Sequence, residues 1–178
     1  MPGFEDRSNV EGLDSAIRSL VQGLASRDGM LRRTMRRSLV AIGEPAVDAL
    51  SEAVNDKRRM VRWEAAKALG AIGSARGARA LIRALKDGDF GVRWLGAEGL
   101  IALERKSLEP LLRSLIDEED SDWLREGAHH VFSVLAERGL HDLVDPLLEA
   151  LEGPEPGLSI VAEAHSALER IRSKEHRS

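Results

Sequence analysis

The stretch Met60-Val-Arg-Trp-Glu-Ala-Ala-Lys-Ala-Leu-Gly-Ala-Ile-Gly73 returns one repeat later as Gly91-Val-Arg-Trp-Leu-Gly-Ala-Glu-Gly-Leu-Ile-Ala-Leu103. The same frame appears at Leu31-Arg32 and at Leu124-Arg125. Its arginines therefore stand at Arg32, Arg62, Arg93 and Arg125, spaced by 30, 31 and 32 residues. That is about the length of one helical hairpin in a stacked-repeat protein. A degenerate fifth copy starts at Ile160, with Val161 in the arginine's place and the insert Gly153-Pro-Glu-Pro-Gly157 ahead of it.

The columns of this self-alignment are physically consistent. Leu31, Val61, Val92, Leu124 and Ile160 precede the arginine position. Leu39, Leu69, Leu100, Phe132 and Leu168 follow it by seven residues, and Ile42, Ile72, Leu103, Leu135 and Ile171 by ten. These offsets fall on one stripe of an α-helix. A small column on the same stripe, Met35, Ala65, Gly96, Ala128 and Ala164, lets a neighbouring helix approach closely. This is the second helix of each hairpin. Shorter first helices precede it, as in Pro45–Val54 and Ala78–Leu85. Pro45 suits a first turn, Gly43 and Gly73 suit helix ends, and Asp28, Asp89 and Ser121 suit N-caps four residues before their arginines.

The expected fold is all-α: a right-handed α-solenoid of about five hairpins, or about ten helices. Residues 1–10 read as an N-terminal arm and 174–178 as a polar tail. The domain between them, 11–173, divides into repeats at about 11–43, 44–74, 75–105, 106–138 and 139–173.

Composition agrees. Of 178 residues, 43% are hydrophobic and only 3% aromatic, with no Tyr, so the core is aliphatic. The absence of Cys excludes disulfides, thiol catalysis and cysteine-ligated zinc, and fits a cytoplasmic protein. The start, MPGFEDRSNV, does not read as a signal peptide, and no apolar run is long enough for a membrane span. Net charge is −4 but polarised. Residues 1–62 carry 11 Lys and Arg against 9 Asp and Glu, and the remainder 15 against 21.

The pattern carried by Asp56, Val61, Arg62, Ala65, Ala66, Ala68, Leu69, Gly70, Ile72 and Gly73 resembles the HEAT repeats of the phycobilin-lyase-like type. Asp87, Val92, Arg93, Ala97 and Leu100 repeat part of it, and the resemblance covers roughly Leu13 to Ile171. It implies a fold rather than an activity, because such stacks serve as scaffolds, lyase subunits and regulators. It also implies a structural ladder in which Arg32, Arg62, Arg93 and Arg125 pair with Asp56, Asp87 and one of Glu118 or Glu119 between neighbouring hairpins. The His-Glu dipeptides that HEAT-type di-iron hydroxylases use as ligands are absent.

Second helices are expected to line a concave face, where two columns escape packing. One is Arg33, Trp63, Trp94, Glu126 and Ala162; the other is Arg37, Lys67, Glu98, His130 and Ser166. Trp63 and Trp94, at one position of adjacent repeats, mark either a binding hot spot or rings folded over the inter-repeat groove. Leu95 would extend an apolar patch. Arg32, Arg33, Arg36 and Arg37 form a basic band that Lys57-Arg58-Arg59 extends. The candidate partner-binding set is Trp63, Trp94, Arg33, Arg37, Lys67, Glu64, Leu95, Glu98 and His130. His129 and His165 share a column, but they lack a placed carboxylate and do not make a metal site. The acidic run Asp117–Asp122 lacks the glycine and spacing of a calcium loop.

These residues point to a non-enzymatic module that binds another protein or peptide, itself a monomer or a weak homodimer. No nucleophile and base, phosphate loop or metal cluster is legible, so no catalytic residue, cofactor or metal is expected. Nucleic-acid binding by the basic N-terminal repeats is the alternative, since HEAT-like DNA glycosylases cradle DNA on such a face. A non-catalytic partner of a lyase or other enzyme is the second alternative.

Overall fold

The computed structural model describes residues 5–118 and 120–175. Ten α-helices run through them: α1 (Glu5–Gly23), α2 (Gly29–Ile42), α3 (Val47–Ala53), α4 (Arg59–Ile72), α5 (Ala78–Ala84), α6 (Phe90–Leu103), α7 (Arg105–Asp117), α8 (Asp122–Leu135), α9 (His141–Glu152) and α10 (Pro156–Glu175). The expected N-terminal arm is already helical from Glu5, and α10 continues into the expected tail as far as Glu175. Residues 1–4 and 176–178 of those segments lie outside the described residues.

The helix boundaries follow local chemistry. Asp28 Oδ1 accepts from the Met30 amide at 2.8 Å, Asp89 Oδ1 from Val92 at 3.2 Å and Ser121 Oγ from Leu124 at 3.3 Å. Each satisfies amides that the first helical turn leaves without partners. Gly43 and Gly73 end α2 and α4 at φ 75° and 69°, the region that glycine enters freely. The same column holds Glu104 after α6, at φ 51° and without that freedom.

Alternate helices form two layers. α2, α4, α6 and α8 pack side by side in one, and α1, α3, α5 and α7 in the other. The predicted stripe is the core between them: Leu39, Leu69, Leu100 and Phe132 are buried, as are Val61, Val92 and Leu124. Contact is closest between α4 and α6. A Cβ on Gly70 would lie 3.0 Å from the Gly99 Cα, so a side chain there would push the two backbones apart.

The last hairpin departs from the repeat. α9 packs on α8, and α10 packs on α7. α10 therefore belongs to the layer of first helices, although its sequence register is that of a second helix. A five-residue link, Ala136–Leu140, bends at Gly139 (φ 92°) and feeds α9 straight onto α8. The α10 stripe Ile160, Ala164, Ala167, Leu168 and Ile171 is still buried, but against the other layer. Apolar periodicity is satisfied on either side of the stack, so it cannot choose the layer.

Among the described residues the expected ladder keeps one full rung. Arg62 grips Asp87 of the next hairpin with two hydrogen bonds, Nε to Oδ2 at 2.6 Å and Nη2 to Oδ1 at 2.9 Å. Burial pushes the Asp87 carboxyl up, but hydrogen bonds from Arg62 and the Asp89 amide outweigh it and hold its pKa below the usual range. Asp56 instead accepts three hydrogen bonds from Arg58 beside it, two from the guanidinium and one from the amide, which bring its pKa to about 2. Arg32 turns to Glu64, Glu118 pairs with Lys86, Arg125 with Asp122, and Glu119 lies outside the described residues.

Among the described residues, Arg32, Arg62 and Arg93 share a different contact. Nη1 of Arg32, Arg62 and Arg93 donates to the carbonyl six residues earlier, Ser26 O, Asp56 O and Asp87 O, at 2.8, 3.0 and 2.8 Å. The column thus closes the turn inside its own hairpin by satisfying carbonyls left free past the first helix.

A candidate partner-binding cleft on the second helices

Side chains that the core does not use stand on the outer face of α2, α4, α6 and α8. Arg33 and Arg37 on α2, Lys67 on α4 and Glu98 on α6 are all exposed there.

Trp63 lies down. Its ring crosses to the next hairpin and covers Gly91, where an added Cβ would meet its Cδ1 and Nε1 at 3.5 Å. It packs against the core, and Lys67 Nζ sits 4.6 Å from the ring centroid on the outer side. Trp63 is thus largely a packing residue. Leu95 also packs against the core and adds nothing to an exposed patch. Glu64 leaves the partner-binding set altogether. It is 3% exposed, hydrogen-bonded to Arg36 and ion-paired with Arg32 Nε at 3.4 Å in a geometry too poor for a hydrogen bond. Two of the four cations in the basic band are therefore committed to holding α2 against α4.

Trp94 cannot lie down in the same way. The residue that would receive its ring, in the column of Gly91, is Trp123. Trp94 is 47% exposed and Trp123 46%, with Phe90 more exposed still. Trp94 stacks between Phe90, at 6.5 Å between ring centroids, and His130, at 5.0 Å. The Arg93 guanidinium sits 4.9 Å from the Trp123 ring and 5.7 Å from Phe90, and so braces the other wall. His130 Nε2 faces Glu98 at 3.7 Å, an ion-pair distance beyond hydrogen-bond reach.

Between these rings a cleft of about 250 Å³ opens outward, with Leu85, Ala97 and Gly127 beneath it and Glu126 on its rim. Small side chains at Ala97 and Gly127 leave the space, and the indoles keep it open because each stands where the other would have to fold. Such a cleft can take a bulky apolar group and surround it with aromatic surface.

Trp94 and His130 of the predicted set line this cleft, with Glu98 facing His130 from beside it; Arg33, Arg37 and Lys67 share the face but stand away from it. Phe90, Arg93 and Trp123 were not in that set. The available signal was an aromatic residue in the first turn after an N-cap, Phe90 one after Asp89 and Trp123 two after Ser121, where that turn faces solvent.

The histidine column does not converge. His129 Nε2 lies 2.9 Å from Glu152, whereas His165, on α10, lines a groove between α5, α7 and α10 in the other layer. Among the described residues, no three His, Asp or Glu side chains are grouped to hold a metal ion. No described helix is long and apolar enough to cross a membrane.

No curated protein matches the chain. Residues 17–101, from the end of α1 through most of α6, match the family model of HEAT repeats. With the helical hairpins stacked in two layers, the match agrees with an all-α solenoid whose residues 17–101 are similar to HEAT repeats.

Proposed function

We propose that this chain is a non-enzymatic interaction module that takes a protein partner on the outer face of α2, α4, α6 and α8, anchored in the Trp94–Trp123 cleft. One observation carries the reading. Phe90, Trp94 and Trp123 keep much of their surface in water around an open cleft, although the fold has a complete core without them. Apolar surface gathered in this way is stabilised by a partner, and aromatic residues dominate binding energy at such places.

The same reading takes the repeats as the phycobilin-lyase-like type, on the pattern from Asp56 to Gly73, and the chain as cytoplasmic, on its lack of Cys. Nucleic-acid binding loses support because Arg32 and Arg36 are taken up by Glu64.

The test is capture from a nuclease-treated lysate with wild type and a Trp94→Ala/Trp123→Ala variant of unchanged helicity. A protein recovered by the first and lost by the second upholds the reading. Identical capture by both removes the cleft from it.

A further inference from the structure

Charge on the face is graded along the stack. At the end formed by α2 and α4, Arg33, Arg37 and Lys67 are exposed. A basin of about 450 Å³ runs over this end, with Arg33, Met60, Trp63 and Lys67 in its lining. Glu64 at its base is already neutralised by Arg32 and Arg36, so the exposed cations are not cancelled from below. Around the aromatic cleft the exposed charges are the carboxylates Glu98, Glu126 and Asp122, the last paired with Arg125, while the Arg93 guanidinium in the cleft wall is stacked on Trp123 and Phe90. Two chemistries therefore lie on one face, an apolar socket rimmed by carboxylates and, beside it, a basic track.

Resting on the reading of the cleft as an anchor site, we infer that the partner is an acidic peptide segment. It carries one bulky apolar side chain for the Trp94–Trp123 cleft, with carboxylates displaced along the chain toward Lys67, Arg33 and Arg37. The spacing follows from the stack. Packed helices stand about 8–10 Å apart, so α4 and α2 lie about 15 and 25 Å from the α6–α8 groove. An extended chain covers about 3.3 Å per residue, which places the carboxylates about four to eight residues from the anchor. Positions next to the anchor are not acidic, because Glu98 and Glu126 would repel them.

The experiment selects from a displayed library of random peptides, about 16 residues long so that they span the face, on the full chain. Selected peptides are expected to share a bulky apolar residue with Asp or Glu at the stated distance. Trp94→Ala/Trp123→Ala should weaken them at least about tenfold at any salt concentration. Arg33→Glu/Arg37→Glu/Lys67→Glu should weaken them about tenfold in low salt, with a deficit that shrinks at about 0.5 M NaCl. A fresh selection on this charge-reversed chain should return basic segments in place of acidic ones.

Peptides that need both tryptophans yet show no acidic bias overturn the inference and leave the anchor reading standing. Three results overturn both: no enrichment, enrichment indifferent to the tryptophans, or tighter binding of an oligothymidine with a steep salt dependence.

Discussion

Trp63 and Trp94 occupy one position of two adjacent repeats, and they behave differently. Trp63 closes the groove to the next hairpin, with its ring over Gly91. Trp94 holds the next groove open, because the corresponding residue there is Trp123. A single column, two residues before the arginine, thus decides whether an indole is packing or a wall of a cleft. The charged residues beneath follow the same division. Under Trp63, Arg32 and Arg36 converge on buried Glu64 and tie α2 to α4. Beside Trp94, Arg93 spends its guanidinium on the faces of Phe90 and Trp123.

The comparison can be broken most severely at the closed site. Glu64→Ala would leave two partly buried guanidinium groups without their carboxylate, and should destabilise the fold by about 3 kcal/mol in chemical denaturation. Trp63→Ala should cost about 2 kcal/mol by removing packing over Gly91, while Trp94→Ala should cost less than about 1 kcal/mol. Equal losses at the two positions would show that the indoles are equivalent after all.

The column can also be exchanged. Gly91→Phe should lift Trp63 off the groove and red-shift its emission, whereas Trp123→Ala should let Trp94 fold down and blue-shift, each read with the other indoles replaced by Phe.

A smaller effect contrasts the ends of the second helices. Glu104 sits at φ 51° where Gly43 and Gly73 stand in the earlier repeats. Glu104→Gly should raise stability by about 1 kcal/mol, seen as a higher Tm.

The smallest effect concerns acid. Asp56, with a pKa of about 2, and Asp87, also lowered, bind protons less readily folded than unfolded. Their contribution is complete above the unfolded aspartate pKa of about 3.9. For Asp56 it is lost as pH falls toward about 2. Tm should decline across that interval, and less steeply in Asp56→Asn.

Much of the fold could be read directly. Helix starts at Asp28, Asp89 and Ser121 and the buried column of Leu39, Leu69, Leu100 and Phe132 needed only local spacing. The ladder was read too generously: Asp56 finds Arg58 two residues away, a nearer partner than any in the next hairpin. Glu64 looked like a surface residue because its two arginines are 28 and 32 positions earlier. Part of the cleft was legible in Trp94 and His130. The rest, Phe90, Arg93 and Trp123 among them, became visible only when two hairpins stood side by side.

The sequence by itself determined the repeat, the ends of the helices and the stripe that each helix buries. All of these depend on interactions within a few residues, set by helical periodicity and capping. Tertiary structure alone decided that α10 joins the layer of first helices, which carboxylate each arginine meets, and that Trp63 lies flat while Trp94 stands. In each case the deciding group lies in a neighbouring hairpin. Whether that group is a glycine or a second indole is settled by where the stack places it, which no local pattern records.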